Sequence, residues 1–200
     1  LLTHFEAMEG TPMIIDIGSG PHPKGDADVR MDLHRWPYVN CLHDMLVTPY
    51  PFTDNLFSKA YMGDVVEHIL IFDVDRVLNE VHRILLPGGI LEITVPDARW
   101  IAERIVKNDW KEQCGNIGWL NQHTDPWRNA MSYLYGGFQN VDEYKLAGMG
   151  HVNGFDETSL HDLLARHTFV HIRREPDTRN PAPGNQSVLK MVCQKKPEDV

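Results

Sequence analysis

Met13-Ile14-Ile15-Asp16-Ile17-Gly18-Ser19-Gly20 is a short apolar run that ends in an acid and a Gly-x-Gly turn, and a second acid, Asp32, follows sixteen residues after Asp16. An open α/β sheet builds a nucleoside-binding crevice in this way, at the carboxyl ends of its strands. Gly18 and Gly20 allow a tight turn and close approach of backbone to a ligand. Asp32, at the end of a second short strand, lies where a carboxylate can accept hydrogen bonds from both hydroxyls of a ribose.

Two absences shape this expectation. Pro21-His22-Pro23 follows Gly20, so the third glycine of the dinucleotide fingerprint is missing. Fourteen residues separate Gly18 from Asp32, against roughly 20 beyond a full crossover helix in a pyrophosphate binder. Segment 21–28 holds two prolines and Gly25, which predicts a short or absent helix there. A helix N-terminus serving a pyrophosphate is then poorly supported. A nucleoside without phosphates suits the pattern better than NAD.

The 200 residues suit one domain with a sizeable core, and the 42% hydrophobic and 24% charged fractions are those of a soluble globular protein. No apolar run approaches the ~20 residues of a membrane span, and nothing resembles a signal peptide. The chain starts Leu1-Leu2 rather than with Met, which leaves room for an upstream segment. Cys41, Cys114 and Cys193 are odd in number and far apart. Free thiols in a reducing, cytoplasmic setting are the simplest account. The net charge of −9 argues against a broad nucleic-acid footprint.

Strands are predicted at 13–16, 29–33, 40–44, 56–62, 90–95, 169–173 and 187–194. Val74, Val77, Leu78, Val81, Ile84 and Leu85 make one apolar helical face, with Asp73 as its expected N-cap. Pro87-Gly88-Gly89 is expected to stop that helix and turn the chain into the next strand. Helices are expected at 98–107 and after Asp156. Residues 110–155 lose clean periodicity but hold eight aromatic residues, from Trp110 to Phe155. This segment reads as an insertion over the crevice within a single domain, 1–200. The plainer alternative, favoured for most of the rings, is a satellite core under a long connection.

Asp16-Ile17-Gly18-Ser19-Gly20, Asp32, His43-Asp44, Tyr50-Pro51-Phe52-Thr53-Asp54-Asn55, Asp64-Val65-Val66-Glu67-His68 and Leu86-Pro87-Gly88-Gly89 follow in a fixed order. Together they resemble the class I S-adenosylmethionine-dependent methyltransferases, specifically the small "type 11" group. The resemblance runs from about residue 12 to 97. It implies a doubly wound, mostly parallel seven-stranded α/β sheet of the Rossmann-like type, here with a reduced first crossover helix and a final antiparallel strand. It also implies roles. Asp16, Gly18, Ser19 and Gly20 would floor the cofactor site and hold the methionine part. Asp32, with Leu33, would bind the ribose. Asp44 and the backbone at Met45 would face the adenine. Gly63 and Asp64 would line the methionine end, where the methyl group is presented. Asp64 departs from the group, in which relatives often carry His. No Asn-Pro-Pro-Tyr or Asp-Pro-Pro-Tyr motif follows the fourth strand, so methylation of DNA bases is not supported.

Methyl transfer from a sulfonium is an in-line displacement that needs alignment and exclusion of water. A hydroxyl acceptor benefits from a general base. The candidates are His151, in Gly150-His151-Val152-Asn153-Gly154, and His123, in Asn121-Gln122-His123-Thr124-Asp125. The plainer reading of each, a solvated or backbone-bonded loop histidine, carries more weight. His151 ranks first because its flanking glycines suit close approach. Asp64-x-x-Glu67-His68 places two carboxylates and an imidazole on one face of a helical turn. Such a set could bind a divalent cation; the resemblance to those class I methyltransferases that are metal-assisted through a Glu-x-x-Glu-His motif and a further distant histidine would make His151 that ligand, although support of the crevice wall by Glu67 and His68 is the favoured reading and no metal is expected.

The expected function is transfer of a methyl group from S-adenosylmethionine to a small-molecule acceptor, with O-methylation of a sugar or natural-product hydroxyl as a weak preference. Neither a nucleic acid nor a membrane is an expected partner, and the oligomeric state is not legible. The alternatives are a non-catalytic methyltransferase-like binding subunit and, further off, a NAD-linked oxidoreductase.

Overall fold

β1 (Met13–Ile17) sits near the middle of a seven-stranded sheet of order β3-β2-β1-β4-β5-β7-β6. The computed structural model describes residues 12–110, 124–136, 150–177 and 186–197. β1 pairs in parallel with β2 (Val29–Asp32) on one side and β4 (Phe57–Gly63) on the other. β2 continues to the two-residue β3 (Cys41–Leu42), and β4 to β5 (Leu85–Pro96), again in parallel. The chain winds outward from β1 in one direction and from β4 in the other. That reversal opens a crevice beyond the carboxyl ends of β1 and β4. β6 (Phe169–Glu175) and β7 (Val188–Lys195) close the sheet in antiparallel fashion, with β7 between β5 and β6.

Between β1 and β2 the chain forms turns and no helix. Pro21, Pro23 and Gly25 account for this, since prolines remove donors and fix φ where a helix would need neither. The regular helical crossover is α1 (Ile71–Ile84), joining β4 to β5. Its expected face is the one buried: Val74, Val77, Leu78, Val81 and Ile84. Two expectations are corrected here. The N-cap is Leu70, with no side-chain cap; Asp73 lies inside the first turn, where it accepts from the Arg76 guanidinium at 2.7 Å. Pro87-Gly88-Gly89 does not separate helix from strand. Helix gives way to strand directly at Leu85, and the three residues form an irregularity inside β5, where pairing moves from Phe57–Leu85 to Lys59–Ile90.

The core lies on both faces of β1, β4 and β5: Ile15, Ile17, Phe57, Ala60, Met62, Leu91, Ile93 and Val95 are fully enclosed. α2 (Ala98–Lys107) has the bounds the sequence predicts, with Asp97 accepting from the Trp100 amide at 2.9 Å. It packs with α3 (Pro126–Leu134), and Trp100, Ile101, Trp110, Ala130 and Tyr133 form a second, smaller core. For Trp110 and Tyr133 the satellite-core reading therefore holds, whereas Phe155 belongs to the main core. Trp127 and Tyr135 are exposed; Trp119, Phe138 and Tyr144 lie outside the described residues.

α4 (Glu157–Arg166) begins with the expected cap. The Asp156 carboxylate accepts from the Ser159 amide at 2.8 Å, the Ser159 hydroxyl accepts from the Asp156 amide at 3.0 Å, and Arg99 bonds the same carboxylate. The Ser159 amide, the Ser159 hydroxyl and the Arg99 guanidinium hold the Asp156 carboxyl down at about 2. A carboxyl depressed in the folded state stabilises above its ordinary titration range and loses that contribution as pH falls toward the folded value. Asp156→Ala is expected to cost about 1 kcal/mol at pH 7. Its difference from wild type should shrink as pH falls from about 4 toward 2. Urea unfolding of both proteins at several pH values checks this.

Candidate active site

The end of β1 is folded onto the end of β2 by two backbone bonds. The Gly18 and Ser19 amides both donate to the Met31 carbonyl, at 2.8 and 3.2 Å. This requires left-handed backbone at Gly18, φ +69°. A Cβ at Gly18 would meet Val65 Cγ2 at 2.4 Å and Met45 Cε at 3.2 Å. Glycine is thus needed twice over, for its φ and for the packing of the β4 and β3 loops against it. Gly20 differs. A Cβ there would meet nothing within 4 Å, so its surface is open to the crevice.

Asp32 stands across from that opening and is buried. One carboxylate oxygen accepts from the Gly20 amide at 2.9 Å, the other from the His34 amide at 2.7 Å. An ionised carboxylate offers about four lone-pair sites. Two are used to fix its orientation, and two are left for a ligand with vicinal hydroxyls. Leu33, next in sequence, is exposed. The Ser19 hydroxyl is buried and has no hydrogen-bond partner among the described residues, and so is a polar group that a bound ligand would satisfy.

Asp16 is buried beneath this floor and accepts from the Lys24 amide at 2.7 Å. Burial outweighs that bond and pushes the carboxyl up to about 6. On the β3 side, Asp44 accepts from the Leu46 amide at 2.8 Å, and the Tyr50 hydroxyl donates to the Met45 carbonyl at 3.0 Å. The loop 44–50 is thereby folded back beside the Gly18 turn. Gly63 ends β4, and a Cβ there would meet Thr94 Oγ1 at 3.5 Å. Asp64 is exposed, with φ +56°, and its amide donates to the Thr94 carbonyl at 2.8 Å. A left-handed aspartate at a strand end is uncommon, and such positions concentrate at binding sites.

Beyond Asp64 the chain makes a single 3₁₀ turn, Val66–His68. That turn is bound to the segment around His151, which follows it by more than eighty residues. The Val152 and Asn153 amides donate to the Glu67 carbonyl at 2.8 and 3.0 Å, and the Asn153 side chain donates to the Ile69 carbonyl. The His68 and His151 rings meet edge to face, 4.8 Å between centroids. His68 Nδ1 faces the Gly150 carbonyl at 3.2 Å, and His151 Nδ1 faces the Leu134 carbonyl at 3.1 Å. Burial pushes both imidazoles down, His151 to about 4, with His68 as a neighbouring like charge adding to the effect.

The structure thus brings Asp16, Gly18, Ser19, Gly20 and Asp32 to one crevice, with Met45 against Gly18 and His151 against His68. It does not place Asp64 in one cluster with Glu67 and His68. Asp64 is exposed and Glu67 is 1% exposed; the group whose ligand atoms lie within 4.8 Å of one another is Glu67, His68 and His151. His123 lies outside the described residues. Three contributions are new: Val65 wedges against Gly18, the Gly150 carbonyl orients the His68 ring, and the Leu134 carbonyl orients the His151 ring. Thr94 is a fourth: its buried hydroxyl has no hydrogen-bond partner among the described residues, and a threonine inside Ile-Leu-Glu-Ile-Thr-Val is the one sequence signal that would have found it.

Residues 17–93 match the model of a methyltransferase domain family. No curated protein matches the sequence. Among solved structures, the 1,6-didemethyltoxoflavin-N1-methyltransferase of Burkholderia thailandensis, determined with 1,6-didemethyltoxoflavin and S-adenosylhomocysteine bound, superposes over 94% of this chain and 72% of its own. The identity is 16% and the TM-score 0.55. The CurJ carbon methyltransferase aligns over 94% of this chain and 51% of its own, at 15% identity and TM-score 0.55. A possible histamine N-methyltransferase from Thermotoga maritima aligns over 94% and 84%, at 16% identity and TM-score 0.54. The strand order and the matched segment agree: residues 17–93 are similar to a methyltransferase domain, and the chain shares the fold of these methyltransferases.

Proposed function

We propose that this chain transfers the methyl group of S-adenosylmethionine to a small molecule, with an oxygen atom as the preferred acceptor. The observation that carries the cofactor half is the Asp32 carboxylate, oriented by two amides with lone pairs left over, opposite the open surface of Gly20. In this reading Asp32 and Leu33 take the ribose. Asp44 and the Met45 backbone take the adenine. Asp16, Gly18, Ser19 and Gly20 take the methionine part, and Gly63 and Asp64 flank the methyl group. The turns between β1 and β2 offer no helix N-terminus to a pyrophosphate, which weighs against NAD.

On the acceptor side, a carbonyl only accepts hydrogen bonds, so Nδ1 of His151 carries the proton and Nε2 presents a lone pair. That lone pair would take a proton from a hydroxyl acceptor as the new bond forms, as a weak base, since burial holds the imidazole down to about 4; an amine or thiolate acceptor needs no such base. His123 stays a second candidate, and Asp64 a polar group at the methyl end. The neighbours include N- and C-methyltransferases, so the oxygen preference rests on the imidazoles alone. We read 1–200 as one domain with 110–155 over the acceptor side, a reading supported by the bond between the His151 amide and the Tyr135 carbonyl and by the ties of 152–153 to Glu67. The acidic balance of −9 favours a small acceptor over a nucleic acid. Cys41 and Cys193 are free and buried, which suits a reducing, cytoplasmic setting. No helix among the described residues is long and apolar enough to cross a membrane.

Parallel calorimetric titrations with S-adenosylmethionine, S-adenosylhomocysteine and NAD test the reading. Binding of the first two without NAD is the expected result; NAD alone, or none of the three, would overturn it. A pH signature should accompany binding. Asp16 is protonated below about 6 in the free protein, and a ligand carrying a sulfonium and an ammonium favours its ionised form. Affinity for S-adenosylmethionine should therefore rise between pH 5 and 7, with net proton release near pH 6. Titrations in buffers of different ionisation enthalpy measure that release, and Asp16→Asn should abolish it.

A further inference from the structure

We infer that the methyl acceptor is an uncharged or cationic molecule with an extended apolar body, held by an exposed apolar rim beside His68 and His151. The inference rests on the methyl transfer proposed above and names the class of molecule that the site takes.

Three segments meet at this rim. The Tyr135 carbonyl accepts from the His151 amide at 3.2 Å, the Glu67 carbonyl from the Val152 and Asn153 amides, and the Ile69 carbonyl from the Asn153 side chain. These bonds hold residues 67–72, 135 and 150–153 side by side. On them Leu70, Ile71, Phe72, Tyr135 and Val152 stand in solvent, 49% to 91% exposed. A solitary exposed apolar side chain is ordinary. Several gathered beside a crevice that holds polar groups mark a binding surface.

Folding does not account for these side chains. Phe72 lies on the side of α1 opposite Val74, Val77 and Val81, which pack on the sheet. Leu70 occupies the N-cap of α1 and makes no side-chain cap there, so the chain forgoes the stabilisation that Ser, Thr or Asp would bring. Three consecutive apolar residues at an uncapped helix start break the local rules for stability, and such breaks concentrate where a ligand is bound.

Charge narrows the occupant. Residues 61–75, 129–136 and 150–157 contain no Lys or Arg, and the nearby Arg76 and Arg99 are tied to Asp73 and Asp156. A phosphorylated or carboxylated acceptor would find no counter-charge on these segments. An anionic membrane surface is disfavoured on the same ground, since its attraction depends on basic residues. A free sugar has little apolar surface to bury against the rim. A phenol or a long-chain alcohol fits, and an ammonium group is accommodated beside exposed Asp64. The apolar body lies along the rim and the hydroxyl at its polar end meets Nε2 of His151. An oxygen lone pair forms the new C–O bond as the S–CH₃ bond breaks. The electron pair of that bond stays on sulfur as the neutral thioether, and the hydroxyl proton passes to Nε2.

The test titrates the full chain, with S-adenosylhomocysteine present, with 2-naphthol, 2-naphthyl phosphate and methyl glucoside at neutral pH. The expected result is saturable binding of 2-naphthol, with 2-naphthyl phosphate at least about tenfold weaker and no saturation by methyl glucoside. In the wild-type protein 2-naphthol should shift the methyl resonances of Leu70, Ile71 and Val152, a readout that needs no variant. Phe72→Ser and Val152→Ser change exposed side chains, so each should stay folded and keep its affinity for S-adenosylhomocysteine. Each should bind 2-naphthol about fivefold or more weakly. No saturation by 2-naphthol, equal binding of the phosphate, or unchanged affinity in both variants would overturn the inference. So would a dimer in sedimentation that both variants dissociate, because the rim would then be a contact between copies. Binding of 2-naphthol at the rim by a wild-type protein that does not bind S-adenosylhomocysteine would instead overturn the methyl-transfer reading and leave the apolar surface standing.

Discussion

Asp32→Ala should bind S-adenosylmethionine about two to four orders of magnitude more weakly than the wild type while remaining folded. Two hydrogen bonds from ribose hydroxyls to an ionised carboxylate are worth about 1.5–3 kcal/mol each, and about 1.4 kcal/mol is a factor of ten. The stability cost is separate and smaller. The Gly20 and His34 amides lose an acceptor, a loss of about 1–2 kcal/mol that nearby solvent partly repairs. Calorimetry reads the affinity and urea denaturation reads the fold. Asp32→Asn sharpens the result. An amide group keeps one acceptor oxygen but turns its NH₂ toward one of the two backbone donors, so the carboxamide must swing and the two free lone pairs are lost together. Affinity close to wild type in either variant would refute the ribose assignment.

The second large effect belongs to Gly18→Ala. Left-handed backbone costs an alanine about 1–2 kcal/mol. Its Cβ would also stand 2.4 Å from Val65 Cγ2, an overlap that displaces the β4 loop at about 1–3 kcal/mol. The sum is about 3 kcal/mol, or a fall in Tm of about 6–12 °C for a chain of this size. Cofactor affinity should drop with it, because the displaced residue directly follows Asp64 and the displaced turn carries Ser19. The two components can be told apart. Val65→Ala is destabilising alone, but in the Gly18→Ala background it removes the overlapping methyl. The double variant should be more stable than the summed single effects by about 1 kcal/mol or more, and strict additivity would show that φ alone matters.

These two residues lie in the part of the site that was legible in sequence. Asp16, Gly18, Gly20 and Asp32 fall within seventeen consecutive residues, and the chemistry of strand, turn and acid is local. The doubly wound, mostly parallel sheet was implied by the family resemblance, and α2 and the Asp156 cap were legible from their own local sequence. Where local signals failed, a longer-range contact had overridden them. Pro87-Gly88-Gly89 reads as a stop, but pairing with β4 on both sides absorbs it into β5 as an irregularity. Asp73 has the chemistry of a cap, yet the chain enters the helix at Leu70 and Asp73 pairs with Arg76 instead. Glu67, His68 and His151 each stand out in the sequence, but their meeting depends on bonds between segments more than eighty residues apart, and Asp64, in left-handed backbone before the 3₁₀ turn, does not share the helical turn that its spacing suggests. Val65 against Gly18 is of the same kind. It is a packing contact with no periodicity to announce it.

β7 is the last of the described strands in chain order and yet lies inside the sheet, between β5 and β6. On the ribosome, the nucleotide-side half of the molecule, β1 to β5 with α1, can assemble while the rest is still being made. During that interval β5 presents an unpaired, largely apolar edge, and β6 has no partner at all. Nascent chains halted before residue 188 should therefore be the species most prone to edge-to-edge association and to capture by chaperones, and emergence of residues 188–195 should be the event that ends that exposure.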